Sequence, residues 1–109
     1  MSSIERTGSG LLVVMMDSDP THDDDFNRWY NEEHVPERLA CPGFLSARRF
    51  VAQPGTEPRF LTLYELETPG AVETPEYVHA LNNPTPWTAR THEYRIKTVR
   101  GVYEEVAID

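Results

Sequence analysis

"LLVVMMD", residues 11–17, is an unbroken apolar run of strand length, β-branched at its centre. A strand with one wet face alternates apolar and polar side chains. A run that is apolar at every position predicts a strand covered on both faces. Upstream, residues 1–9 read as a polar, glycine-bearing lead-in. Downstream, "SDPTHDDD" (18–25) supplies a helix start. Asp19 and Pro20 suit the N-cap and N1 positions, with Thr21 and Asp24 as an alternative capping box. Asp23, Asp24 and Asp25 fall in the first turn, where the helix dipole favours negative charge.

The first helix is predicted from Pro20 to His34 or slightly beyond. Phe26, Tyr30 and His34 recur every four residues, with Trp29 and Glu33 beside them, so all five share one face. Pro36 is expected to interrupt the ladder, leaving one further turn in "ERLAC" before the stop "PGF" (42–44). "FLSARRFVA" (44–52) and "RFLTLYELE" (59–67) read as strands of a hairpin joined by "QPGTEP". A second helix is expected from Pro75 to Asn82, a helical turn within 84–95, and a last strand over "KTVRGVYEEV" (97–106).

The order β-α-β-β-α-β defines an α+β, ferredoxin-like arrangement: a four-stranded antiparallel sheet with its helices on one face. Helices on one side cannot cover a strand that is apolar on both. The outer face is therefore expected to meet a second subunit, making a homodimer.

Composition narrows the partners. The 109 residues fit one domain and carry a formal charge of −8, spread evenly, with five basic and nine acidic groups in each half of the chain. No basic patch emerges, so neither nucleic acid nor an anionic membrane is expected as a partner. No apolar run approaches the roughly 20 residues that span a bilayer. "MSSIERTGSG" has no basic leader or apolar core, so no export signal is read. Cys41 is the only cysteine, in keeping with a reducing cytoplasm.

The element order, the Phe26-to-His34 spacing and "HVPERLACPGFLSARRF" (34–50) together resemble the dimeric α/β-barrel superfamily. The match is nearest to its EthD-like branch, in which an aromatic residue and a histidine lie four apart near the end of the first helix. Tyr30 and His34 occupy those places. As topology the resemblance covers the whole chain, and as motif residues 26–50. It implies a homodimer whose two sheets close into a barrel, with a pocket for a small-molecule substrate between helices and sheet. Related small members include lactone isomerases, polyketide cyclases, cofactor-free monooxygenases and haem-degrading oxygenases. The Trp87-to-His92 spacing departs from the Asn–Trp–His set of the haem-degrading branch, so haem is not expected.

His34 is the leading candidate for chemistry. Near a helix C-terminus, the dipole and the acids Glu32 and Glu33 favour the imidazolium, while burial opposes it. That balance predicts a group poised near neutrality, suited to general acid–base work. The plainer alternative is a helix-end histidine that caps carbonyls. Tyr30 would offer a hydroxyl one turn earlier, and Glu33 would orient the imidazole. Arg48 and Arg49 are adjacent in a strand and must face opposite ways; Arg49 is favoured as the pocket residue, to bind a carboxylate or enolate. Tyr64 and Tyr103 are candidate pocket hydroxyls from mid-strand, and His79 a candidate from the second helix. Trp87 is expected to act as a lid or packing residue, with His22 and His92 at the surface.

Consecutive acids in "HDDD" fan around a helix and cannot converge on a metal, and no H-E-x-x-H, phosphate-binding loop or G-x-S-x-G is present. No metal or organic cofactor is expected. Cys41 is a nucleophile only in principle. The sequence thus points to a cofactor-independent isomerase, cyclase or lyase acting on a small cyclic or aromatic metabolite. Its alternatives are a cofactor-free monooxygenase of phenols and a non-catalytic dimeric ligand-binding protein.

Overall fold

The computed structural model describes residues 8–108, so most of the expected lead-in, residues 1–7, lies outside the described residues. Strand β1 (Gly10–Ser18) leads through a 3-10 turn (Pro20–His22) into α1 (Asp23–Trp29). A π-helical turn (Tyr30–His34) continues it into α2 (Val35–Leu39). The hairpin β2 (Phe44–Val51) and β3 (Phe60–Leu66) follows. Beyond a 3-10 segment (Pro69–Glu73) come α3 (Pro75–Asn82), α4 (Pro86–Thr91) and β4 (Arg95–Glu104). The sheet order is β2-β3-β1-β4 and every neighbouring pair is antiparallel. This is the α+β ferredoxin-like architecture expected from the element order.

Three helical starts use one chemical device. Asp19, Thr74 and Thr85 each stand before a proline at the first helical positions, and each accepts a backbone N–H from the turn that follows. The side-chain oxygen satisfies an orphan donor, while proline fixes φ where its missing N–H costs nothing.

Pro36 does not end the first helix. A proline within an α-helix lacks the i→i−4 donor and clashes with the carbonyl four residues back, here Glu32. The π turn removes both problems by widening the ladder just before it. The Val35 N–H reaches the Tyr30 carbonyl, five residues back, and helical backbone runs on to Leu39. His34 therefore lies within the helical run and not at its end.

The core lies between the helices and one face of the sheet. Leu12, Val14 and Met16 of β1 and Tyr64 and Leu66 of β3 meet Phe26, Trp29, Tyr30 and Tyr77 from the helical layer. Fully burying each such large apolar side chain contributes roughly 1.5–3 kcal/mol. The opposite face carries Leu11, Val13 and Met15, with Leu61, Leu63, Phe50, Val99 and Tyr103 beside them in register. Val99 and Tyr103 are 50% and 57% exposed there, so this apolar face is open in the single chain. Among the described residues, no helix is long and apolar enough to cross a membrane.

The acids of the first turn do more than answer a dipole. Arg59, at the close of the hairpin, donates to Asp17 Oδ1 (2.6 Å) and to both oxygens of Asp23 (2.8 and 2.9 Å). Asp25 receives Arg90 (2.8 Å) and the Tyr94 hydroxyl. These pairs tie β1, the helix start, β3 and the C-terminal segment together. Among the described residues, no histidine, cysteine or carboxylate group gathers as a metal-ligand set.

Candidate functional site

A cavity of about 220 Å³ opens between the helical layer and strands β1 and β4. Its floor is apolar, from Leu12, Val14 and Met16, and its walls hold His34, Arg38, Tyr64, Tyr77, Arg95 and Arg100. At roughly 30 Å³ per water molecule, it has room for about seven waters or one small organic compound.

The π turn sets the histidine. The His34 ring stacks on Trp29, with centroids 4.3 Å apart and planes at 26°, and meets the Tyr30 ring edge-on at 5.2 Å. Trp29 is in turn fixed by its Nε1–H donating to Thr88 Oγ1 at 3.0 Å. The imidazole is thus fixed in orientation, while its Nδ1 is buried with no hydrogen-bond partner among the described residues.

Its electrostatics differ from the sequence expectation. The helix continues past His34, so the dipole of a helix end does not act on it. Glu32 turns away to Arg28 (3.0 Å), and Glu33 accepts the Thr85 hydroxyl (2.6 Å). What faces the imidazole is burial first, then the positive charges of Arg38, Arg95 and Arg49, which together push its pKa down to about 3. His34 is neutral at physiological pH, not poised near neutrality.

Tyr64 reaches the cavity, and burial, reinforced by the neighbouring Tyr30, raises its phenol well above the usual range. It remains a neutral donor, and its hydroxyl has no hydrogen-bond partner among the described residues. Tyr30 lies behind His34, fully buried, with its own hydroxyl beside those of Thr62 and Tyr64. The three interact electrostatically without reaching hydrogen-bond geometry.

Other expected site residues lie elsewhere. Arg49 does face the helices, because it pairs with the buried Thr62, and Arg48 faces outward with Leu63. Yet Arg49 is held by Asn31 (2.9 Å) and Asn27 (2.8 Å) and lies over the Tyr30 ring at 4.4 Å. It pins β2 to the π turn and does not line the cavity. Glu33 anchors the Thr85 cap of α4 and does not touch the imidazole. His79 is exposed on α3, facing Asn83, while Ala80 and Leu81 of that helix line the cavity. Tyr103 pairs with Leu11 and so points out from the opposite sheet face. Cys41 is buried, its thiol pKa raised by desolvation, which makes it a poor nucleophile. Trp87 packs against the core, His22 is exposed and stacks on Tyr94, and His92 is exposed yet borders the cavity.

The residues that sequence reading missed are Arg38, Tyr77, Arg95 and Arg100. Arg38 lies four residues after His34 and was legible as a neighbour on the same face. Arg95 and Arg100 were not, since strand residues five apart point to opposite faces. A β-bulge changes that. The register passes from Met15–Val99 to Asp17–Ile96, so β4 holds one extra residue opposite Met16. Lys97 takes a left-handed conformation there (φ 53°), and Arg95 and Arg100 come to line one cavity.

No protein-family model and no curated protein matches the sequence. Solved structures do share its fold. An ethyl tert-butyl ether d (EthD) family protein from Bacillus halodurans aligns with a TM-score of 0.58 at 14% identity, over 89% of this chain and 99% of that one. The haem-degrader MhuD from Mycobacterium tuberculosis, with two haems bound in its active site, aligns at 0.58 and 14% identity, over 92% and 98% of the two chains. SnoaB from Streptomyces nogalater, a cofactor-independent oxygenase, aligns at 0.51 and 10% identity, over 93% and 97%. The chain shares the ferredoxin-like fold of these structures.

Proposed function

We propose that the protein is a cofactor-independent enzyme acting on a small cyclic or aromatic metabolite, with His34 as its general base, and that it works as a homodimer. One observation carries this reading: an imidazole kept neutral and locked in orientation beside a cavity with an apolar floor and a wall of cations and a free phenol. An acidic C–H or O–H of the substrate gives its proton to His34, and the electron pair stays on the substrate as an enolate or phenolate. The guanidinium groups and the Tyr64 hydroxyl stabilise that developing charge. Burial and the arginines make the imidazolium a strong acid, so the proton returns readily. Delivered to another substrate atom, it completes an isomerisation or ring closure. Delivered to a leaving group, it completes a lyase-type step.

The test is solvent deuterium exchange into a panel of lactones, cyclic ketones and phenols. The wild-type protein is expected to wash deuterium into one of them. His34→Ala should slow that exchange by roughly 10²- to 10⁴-fold, the scale of general acid–base catalysis. Exchange at the wild-type rate in the variant would remove His34 from the reaction.

A second reading, a cofactor-free monooxygenase, draws support from the likeness to SnoaB. There the phenolate formed by His34 would be oxidised by molecular oxygen. Oxygen consumption with a hydroquinone separates the two. Saturable binding without turnover of any panel member would mark a ligand-binding protein instead.

A further inference from the structure

The chain carries 18 acidic residues against 10 basic ones, and it uses the acids to match several of its arginines. Arg59 holds Asp17 and Asp23, Arg90 holds Asp25, and Arg38 holds Glu37 at 3.2 Å. At the cavity, Arg95 and Arg100 have no acidic partner among the described residues. Arg95 is half-buried, yet its side chain has no hydrogen bond or ion pair among the described residues, and its guanidinium stands 5.7 Å from the Trp29 ring. Desolvating a guanidinium without an anion is costly, because burial removes hydration that nothing returns. Among the described residues, Arg100 donates only to the Tyr77 hydroxyl (2.9 Å), which leaves the rest of its fork unused there.

We infer that the ligand of this cavity is a small organic carboxylate, its carboxylate received by Arg95 and Arg100 and its apolar body lying on Leu12, Val14 and Met16. The inference rests on reading the cavity as the place where His34 works, and it supplies the missing counter-ion. Planar guanidinium forks match a carboxylate, and the lining remains net cationic after Glu37 is set against Arg38. An apolar floor adds nothing to the binding of an inorganic anion, so the site favours an organic acid. The bulge at Lys97 is what makes the pair, since without the inserted residue Arg95 would point to the other face. A bound carboxylate also offsets the positive charge around His34. That brings the imidazole back toward a range in which it can take a proton.

Benzoate, its neutral isostere benzamide, and inorganic phosphate test the idea by calorimetric titration of the intact protein. Binding is expected for benzoate and not for the other two. Arg95→Gln and Arg100→Gln should each weaken benzoate by about tenfold or more, the value of a hydrogen bond to a charged group. Arg28→Gln, on the surface, should change nothing. Arg95 has no side-chain hydrogen bond to lose among the described residues, so its variant carries the test even if Arg100→Gln unfolds. Four results would overturn the inference: benzamide binding as tightly as benzoate, phosphate doing so, unchanged affinity in Arg95→Gln, or no benzoate binding up to about 10 mM. Each leaves the His34 exchange assay untouched, so the two readings fail separately.

Discussion

His34 is held by a stacked indole on one side and by positive charge on another, and both act on its proton. Burial first, and then Arg38, Arg95 and Arg49, depress its pKa from 6.5 to about 3. Above pH 6.5 the imidazole is neutral in both folded and unfolded chains and contributes no pH dependence. Between 6.5 and 3 the unfolded chain binds a proton that the folded one does not, so this residue's share of stability falls as the pH falls through that window. The full shift corresponds to a few kcal/mol, at about 1.4 kcal/mol per unit. His34→Gln removes the titrating group. Urea unfolding at pH 7 and pH 4.5 should therefore show a smaller acid-induced loss in the variant than in the wild type. Equal losses would mean that the imidazole titrates normally and that the surrounding cations do not reach it. In the same way, no fall in turnover through protonation of free His34 is expected between pH 8 and pH 5.

Two irregular elements build the site, and each absorbs a local conflict. The π turn at Tyr30–His34 accommodates Pro36 and seats His34 against Trp29. The bulge in β4 accommodates one extra residue and brings Arg95 to the sheet face and cavity that Arg100 also lines. Lys97 occupies the left-handed position of that bulge, a conformation costing a non-glycine residue on the order of 1 kcal/mol, and it is ion-paired with Glu57 at the surface. Lys97→Gly relieves the backbone and loses only an exposed pair. It should leave the melting temperature equal or higher and benzoate affinity unchanged. Deleting Lys97 restores plain strand alternation and should turn Arg95 outward, abolishing benzoate binding while circular dichroism still reports a folded sheet. Retained binding in the folded deletion variant would show that the bulge does not position the arginine.

The whole molecule presents two apolar sheet faces and has helices for one. Leu11, Val13, Met15, Leu61 and Leu63 share the uncovered face with Phe50, Val99 and Tyr103. A bare apolar surface of that composition is unusual on a soluble monomer. Light scattering at micromolar concentration should give twice the 12.5 kDa chain mass. Met15→Glu combined with Leu63→Glu should shift that mass toward the single chain, because two charges placed mid-sheet cannot be buried unpaired. A wild-type protein that runs as a monomer would refute the homodimer.

Hydrophobic period and turn chemistry were enough to read the fold from the sequence. The run at 11–17 is a strand, the Asp19–Pro20 pair starts the first helical stretch, and the element order fixes the sheet. These signals are local, so they survive without knowledge of contacts. His34 was legible as a candidate by its spacing from Tyr30, but its charge state was not, because it is set first by burial and then by arginines from three separate elements. Tyr103 and Arg49 looked equivalent to true wall residues in sequence. Register put the first on the outer face, and two asparagines claimed the second. Arg95 and Arg100 required the tertiary structure outright: one inserted residue in β4 reverses the alternation on which any reading of a strand from sequence depends.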